Sequence, residues 1–215
     1  MLNKTLYPKI NRISLESYSV ITEKLDGSNL IIGKEKESKK IFIAQRNWIY
    51  YLEELEQEEV REKVYNGLYE WLSKYKNQLE ALLQPGAVIC TEYLGIGKLK
   101  YHQEKSGEFP QKIYMFAKTN ITDINDQLSN IYYNHELFKY SFVDQKIPDF
   151  IGVVPIVYED VCPITVPMLN ELYDTYTDKV GRNVEGFVIN NNNHISKYVR
   201  MKNGKLQPHH TWENW

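Results

Sequence analysis

An α+β fold with largely antiparallel sheets is what this 215-residue sequence predicts, and three observations carry that expectation. Short apolar runs of strand character are broken by turn dipeptides. One longer stretch repeats its apolar residues at helical spacing. The two kinds of element then follow one another in irregular order rather than in strict alternation. A chain of this length is expected to form one domain, residues 1–215, with enough residues for a sizeable core.

Taken in order, Tyr18–Glu23 and Asn29–Lys34 read as strands flanking Asp26-Gly27. Asp-Gly is a turn dipeptide, so the local expectation is a hairpin. Lys40–Ala44 reads as a third strand. From Tyr51 the pattern changes: Val64, Leu68, Trp71, Leu72, Tyr75, Leu79 and Leu82 recur at helical spacing until Pro85-Gly86 stops the run. Ala87–Glu92 and Ile113–Ala117 read as strands, and the polar stretch Asn120–Asn130 as a loop. Val153–Tyr158 is a further strand and Pro163–Tyr176 a short helix. Gly186–Asn190 and Ile195–Val199 make a second hairpin across an Asn-rich turn.

Composition narrows the class of protein. Hydrophobic residues make up 42% and charged residues 25%, the balance of an ordinary globular chain. The net charge of −2 argues against a non-specific nucleic-acid coat protein, so any polyanion site must be local. The sequence has no apolar run near the roughly 20 residues of a membrane helix, and its first residues lack the apolar stretch of a signal peptide. Cys90 and Cys162 are flanked by apolar residues and read as reduced core thiols, which places the protein in the cytoplasm.

The chemistry centres on "TEKLDGSN", Thr22–Asn29. A lysine and an aspartate two residues apart at a turn suit solubility, but they also suit a nucleophile. A lysine attacks phosphorus only as the free amine, so nearby cations or desolvation must favour that form. Asp26 could then hold a ribose hydroxyl or a hydrated metal. "VEGFVI" places Glu185 at the mouth of an apolar strand, where an ionised carboxylate is costly without a cation. "ISKYVRMKNGK" follows with Lys197, Arg200, Lys202 and Lys205, while "VICTEYLG" ends a strand with Glu92 and "AQRNW" sets Arg46 after the third strand. A nucleophilic amine, cations for phosphates and carboxylates for metal are the parts of nucleotide transfer. "GIGKL", Gly95–Leu99, lacks the first glycine and the Ser/Thr of a P-loop, and His209-His210 lacks partners at metal spacing.

This ordered set resembles the covalent nucleotidyltransferases, the superfamily of ATP-dependent ligases and mRNA capping enzymes. Lys24-Leu25-Asp26-Gly27 is similar to motif I, with Lys24 as the residue that takes AMP. Arg46 matches the arginine that follows in RNA ligases, Glu92 motif III, Phe116 the base-stacking aromatic of motif IIIa, Glu185-Gly186 motif IV and Lys197 motif V. Asn29 and Glu23 resemble the branch of phage double-strand-sealing RNA ligases, where DNA ligases and capping enzymes commonly carry arginine at the place of Asn29. The sequence departs from the pattern at Ala117, after the motif IIIa aromatic, and at Val199, the second place of motif V.

The resemblance implies the ligase adenylylation fold, without a C-terminal OB domain, and an ATP-dependent RNA ligase that joins 5′-phosphate to 3′-hydroxyl RNA ends. It implies ATP contacts from Glu23, Lys24, Asp26, Asn29, Arg46, Glu92, Phe116, Glu185, Lys197, Arg200 and Lys202. Lys24, Glu185 and Lys197 are the catalytic set, with Arg200 or Lys202 as a second motif V cation. Mg²⁺, or Mn²⁺ in its place, is expected to be held through water by Asp26, Glu92 and Glu185. The expected partners are RNA ends and a separate RNA-binding or repair protein, the expected state a monomer away from membranes. The rival readings are a minimal DNA ligase, a GTP-using capping enzyme, and a non-catalytic nucleic-acid-binding relic, which would not need Lys24, Glu185 and Lys197 together.

Overall fold

Strand periodicity builds two sheets, and the Asp26-Gly27 turn lies between them. The computed structural model describes residues 18–45, 48–95, 109–120, 147–161, 163–191, 194–202 and 205–206. The first sheet is built from β1 (Tyr18–Lys24), β8 (Ile156–Val161), β9 (Gly186–Asn191) and β10 (His194–Val199), in the order β10-β9-β1-β8. The second is built from β2 (Ser28–Lys34), β3 (Ile41–Ala44), β4 (Ile49–Tyr51), β5 (Ala87–Tyr93), β6 (Ile113–Asn120) and β7 (Gly152–Val153), in the order β4-β3-β2-β5-β6-β7. All these pairings are antiparallel except β6 with β7. A two-stranded ribbon, β11 (Met201–Lys202) with β12 (Lys205–Leu206), follows β10.

The expected first hairpin is therefore not one. β1 pairs with β8 and β9, β2 pairs with β3 and β5, and the two strands share no ladder. Turn chemistry forecasts a reversal of the chain but not which strand each arm will pair with. Here each arm pairs with strands from other parts of the chain. The later hairpin stands, with β9 and β10 paired from Gly186↔Val199 to Asn191↔His194.

Helix positions differ from the periodic pattern for local reasons. A 3₁₀ turn (Leu52–Glu56) and the short α1 (Glu58–Arg61) precede α2 (Leu68–Leu82), so Val64 lies before the helix rather than in it. Gly67, with φ of 78°, redirects the chain at the start of α2. The stretch 153–158 splits into β7 and β8, since Pro155 cannot donate a ladder bond. α3 (Val166–Val180) starts later than Pro163 because Thr165 caps it, its Oγ1 accepting from the Met168 N–H, and Gly181 in the left-handed region ends it. The loop expected at 120–130 falls outside the described residues beyond Asn120, the last residue of β6.

Alternation sends the two faces of each sheet to different neighbours. In the first sheet Ile21, Phe187, Ile189 and Tyr198 pack against Leu169, Tyr173 and Tyr176 of α3. In the second, Leu30, Ile32, Ile43, Ile89 and Met115 pack against Leu68, Trp71, Leu72 and Leu79 of α2. The opposite face of the second sheet carries Ile31, Phe42, Ala44, Val88, Cys90 and Ala117. A smaller cluster of Leu25, Leu94, Phe109, Tyr114, Val154 and Met201 draws on the segments that join both sheets.

Candidate active site

Lys24 is the last residue of β1, and its strand neighbours fix what surrounds it. It lies opposite Gly186 on β9, and Gly186 lies opposite Val199 on β10. Thr22, Val188 and Lys197 form the adjacent row. Directly opposed residues share a face, so Lys24 and Lys197 stand on the face away from α3. Gly186 permits this close ladder, because a Cβ there would lie 1.9 Å from the Tyr198 carbonyl oxygen. The residue before it, Glu185, is held by its own carbonyl, which accepts from the N–H groups of Arg200 and Met201 at 2.8 and 2.9 Å.

That arrangement brings Lys24 Nζ to within 2.6 Å of Glu185 Oε2, with both side chains partly open at 24% and 16% exposure. Glu92 comes from the other sheet, opposite Asn29 on β2. Its Oε1 accepts from the Gly27 N–H at 3.2 Å. Gly27 has no room for a side chain, since a Cβ would stand 2.6 Å from the Tyr93 carbonyl oxygen and 2.9 Å from Glu92 Cγ. The turn after Lys24 thus presses against the strand carrying Glu92, and the charged groups converge where the chain crosses between sheets.

The electrostatics follow from that convergence. Burial pushes Glu92 up to about 7; the Lys24 charge opposes this, Glu185 and Asp26 reinforce it, and the Gly27 N–H opposes it. Burial likewise raises Glu185 above the usual carboxylate range, against Lys24 and Lys197 and with Asp26. Lys24, joined by Lys197 at Glu185, offsets the effect of burial only in part. Among the described residues no three His, Cys, Asp or Glu side chains stand close enough to clasp a metal directly. Asp26, Glu92 and Glu185 are the carboxylates here that could hold a hydrated divalent cation.

Phe116 is placed by an irregularity. Cys90 pairs with Ala117 but Thr91 with Met115, so Phe116 is the extra residue of a bulge in β6. Bulges re-aim side chains next to functional sites, and this one leaves Phe116 half-buried between the Ile31 cluster and the Leu25 cluster. Asn29 has its carbonyl oxygen gripped by Gln45 Nε2 and the Tyr65 hydroxyl, each at 3.2 Å. Its own Oδ1 is buried with no partner among the described residues.

The side chains of Glu23 and Arg200 lie on the α3 side of the first sheet. Glu23 precedes Lys24 and so points to the opposite face, where Arg182 and the Tyr176 hydroxyl hold its carboxylate. Arg200 lies on that α3 face too. Its guanidinium donates to the Tyr198 hydroxyl at 3.2 Å and covers the Tyr173 ring at 5.0 Å. Strand parity, unread in the isolated motifs, sends both away from Lys24. Arg46, the side chain of Lys202 and residues 207–215 lie outside the described residues. Sequence reasoning missed Arg182 and Tyr65, since neither sits in a motif; the only signal for Arg182 was its place three residues before Glu185.

A family model described as RNA ligase matches residues 17–203. Among solved structures, an archaeal ATP-dependent RNA ligase is similar with a TM-score of 0.53 and 17% identity, over 90% of this chain and 48% of that one. A Naegleria gruberi RNA ligase with PPi gives 0.54 and 15%, over 91% and 57%. A mutant of the Naegleria gruberi enzyme with ATP and Mn gives 0.54 and 16%, over 92% and 59%. The chain thus spans about half the length of the archaeal structure. No curated protein matches it.

Proposed function

This chain belongs to the RNA ligase family, its match running over residues 17–203, and from that premise we propose that it is an ATP-dependent RNA ligase. The observation that carries the proposal is the Lys24–Glu185 contact of 2.6 Å, set among Asp26, Glu92 and Lys197 at the crossing between sheets. Lys24 Nζ attacks the α-phosphorus of ATP; a nitrogen–phosphorus bond forms, the α–β phosphoanhydride breaks, and pyrophosphate leaves with the electron pair. Nζ must first shed a proton, and Glu185 Oε2 is the acceptor already in contact. AMP then passes to an RNA 5′-phosphate, and a 3′-hydroxyl displaces it to close the phosphodiester.

The remaining residues complete the proposal. Lys197, exposed on the Lys24 face, neutralises the α-phosphate. Phe116 stacks on the adenine from its bulge. Asn29 and Arg46 contact phosphate, the role their sequence motifs imply. Glu23 and Arg200 are omitted from the nucleotide contacts, and Lys202 is the candidate for the second motif V cation. When bound through water by Asp26, Glu92 and Glu185, Mg²⁺ or Mn²⁺ supplies the positive charge that the phosphates and carboxylates lack. The cytoplasm suits the reduced, buried Cys90.

The test is sealing of nicked duplexes with ATP and Mg²⁺, the acceptor's last two sugars being ribose or deoxyribose. A 2′-hydroxyl is what separates RNA from DNA at one site, so the ribose acceptor should be sealed and the deoxy one poorly. Equal sealing of an all-DNA nick would make the protein a DNA ligase. Labelling by GTP in place of ATP would make it a capping-type enzyme.

A further inference from the structure

Behind the Lys24–Glu185 pair lies a second ion pair between the same two segments. Glu23 and Lys24 are neighbours at the end of β1 and point to opposite faces. Arg182 and Glu185 are three residues apart in the connection from α3 to β9. On the open face Lys24 meets Glu185. On the closed face the Arg182 guanidinium forks onto Glu23, Nη1 to Oε1 at 2.6 Å and Nη2 to Oε2 at 2.7 Å. The Tyr176 hydroxyl of α3 donates to the same Oε2 at 2.8 Å.

The two pairs differ in access. The side chains of the Arg182–Glu23 pair are 3% and 0% exposed, against 24% and 16% for Lys24–Glu185. The front pair has to open for Lys24 to react, whereas the rear pair is sealed and persists. A bidentate guanidinium–carboxylate fork fixes orientation as well as distance, which a lysine would not. A buried ion pair is weak grounds for added stability, and its best-attested use is to fix registry. Registry is what this connection needs, since residues 181–185 belong to no strand. Its backbone is tied at two carbonyls, Val184 by the Tyr173 hydroxyl and Glu185 by the N–H groups of Arg200 and Met201. Arg182 also covers the Phe109 ring at 4.5 Å, and Phe109 packs in the cluster shared by both sheets. One guanidinium therefore joins the strand end that carries the lysine, the loop that carries the glutamate and the lead-in to β6.

We infer that Arg182, acting through Glu23, is a positioning residue for adenylyl transfer: it sets the spacing and aim of Lys24 against Glu185 from behind. The inference rests on the proposed function. It makes Glu23 a part of the lysine's mounting and not a contact to ATP.

The experiment uses the full chain with Arg182→Ala, Arg182→Lys and Glu23→Gln, each checked for fold by circular dichroism. Single-turnover attachment of α-labelled ATP is measured against ATP concentration. In parallel, without nucleotide, acetylation of Lys24 by acetic anhydride is followed by peptide mass spectrometry, with Lys40 as internal reference. Misplacing a nucleophile costs rate more than binding. Arg182→Ala should lower the maximal rate on the order of tenfold or more, with half-saturating ATP moving less than about threefold. Its Lys24 should be acetylated several times faster than wild type, as the contact with Glu185 loosens. Arg182→Lys, which keeps the charge and loses the fork, should recover part of both. If Arg182→Ala does not fold, Arg182→Lys and Glu23→Gln carry the test with smaller changes in the same directions. Wild-type rates together with wild-type Lys24 acetylation in the folded variants would overturn the inference. No adduct in the wild type would instead count against the proposed function, and the acetylation arm would still decide the positioning role.

Discussion

Glu92 lies where the turn after Lys24 presses on β5, its Oε1 accepting from the Gly27 N–H. Its carboxyl is raised to about 7, with burial as the main cause. The folded value lies above the ordinary one of 4.5, so the folded state holds the proton more tightly than the unfolded chain. The penalty for ionisation is absent below the ordinary value, builds as pH rises between the two, and is complete above about 7. In nucleotide-free, chelator-treated protein, Glu92→Gln should therefore raise stability at pH 8 by about 1–2 kcal/mol and leave it nearly unchanged at pH 4. Glutamine retains an oxygen for the Gly27 N–H, which limits the loss. The same variant should lose ligase activity, because the amide carries no charge to hold a hydrated cation. Urea melts at the two pH values check the first part; equal stabilisation at both would show that the buried charge is not its source.

At the scale of elements, β9 and its lead-in position Glu185, and two glycines there make opposite demands. Gly186 faces a backbone oxygen that cannot rotate away, 1.9 Å from where a Cβ would stand. Gly186→Ala should cost about 3 kcal/mol by forcing β9 and β10 apart, and should abolish AMP attachment by moving Glu185. Gly181 ends α3 with φ of 65°, and open space of at least 4 Å surrounds the place a Cβ would take. Gly181→Ala should cost only about 1 kcal/mol, from the left-handed backbone alone, and keep activity. Denaturant melts with the adduct assay separate the two, and equal losses would contradict this account of the β9–β10 ladder. Elements of this kind were legible in the sequence where one local cause sets them: the apolar runs of β2, β5 and β6, and the hairpin of β9 and β10. The pairing of β1 was not legible, because its partners lie more than a hundred residues away, β8 and β9 in place of the β2 that follows it.

The whole molecule is defined by a crossing. Lys24 ends a strand of one sheet, Ser28 opens a strand of the other, and the turn between them delivers Asp26 and Gly27 to Glu92. Lys24, Asp26, Glu92, Glu185 and Lys197 were readable as a set because their order along the chain matched a known pattern. The burial of Glu23 and Arg200 was not readable, since a motif records sequence order and not the face of a strand. The proposed function also implies a way of holding nucleic acid. With a net charge of −2, binding should be weak and local, through Lys197 and its neighbours to Lys205, the stretch Lys98–Lys105 and Arg46. Few phosphate contacts release few counterions, so affinity for a nicked duplex should fall with salt as about three or four contacts require. Fluorescence titrations between low and moderate salt measure that slope. A slope corresponding to about ten contacts would point to an encircling mode that this charge distribution does not provide.

The proposed reaction turns on Lys24 carrying AMP. The most direct measurement incubates the protein with ATP and Mg²⁺, stops the reaction in denaturant at alkaline pH, and maps modified peptides by mass spectrometry. AMP is expected on Lys24 alone, released by acid or hydroxylamine as a phosphoramidate should be, and absent from folded Lys24→Ala protein. AMP on another residue, or label retained by Lys24→Ala, would contradict the proposed reaction.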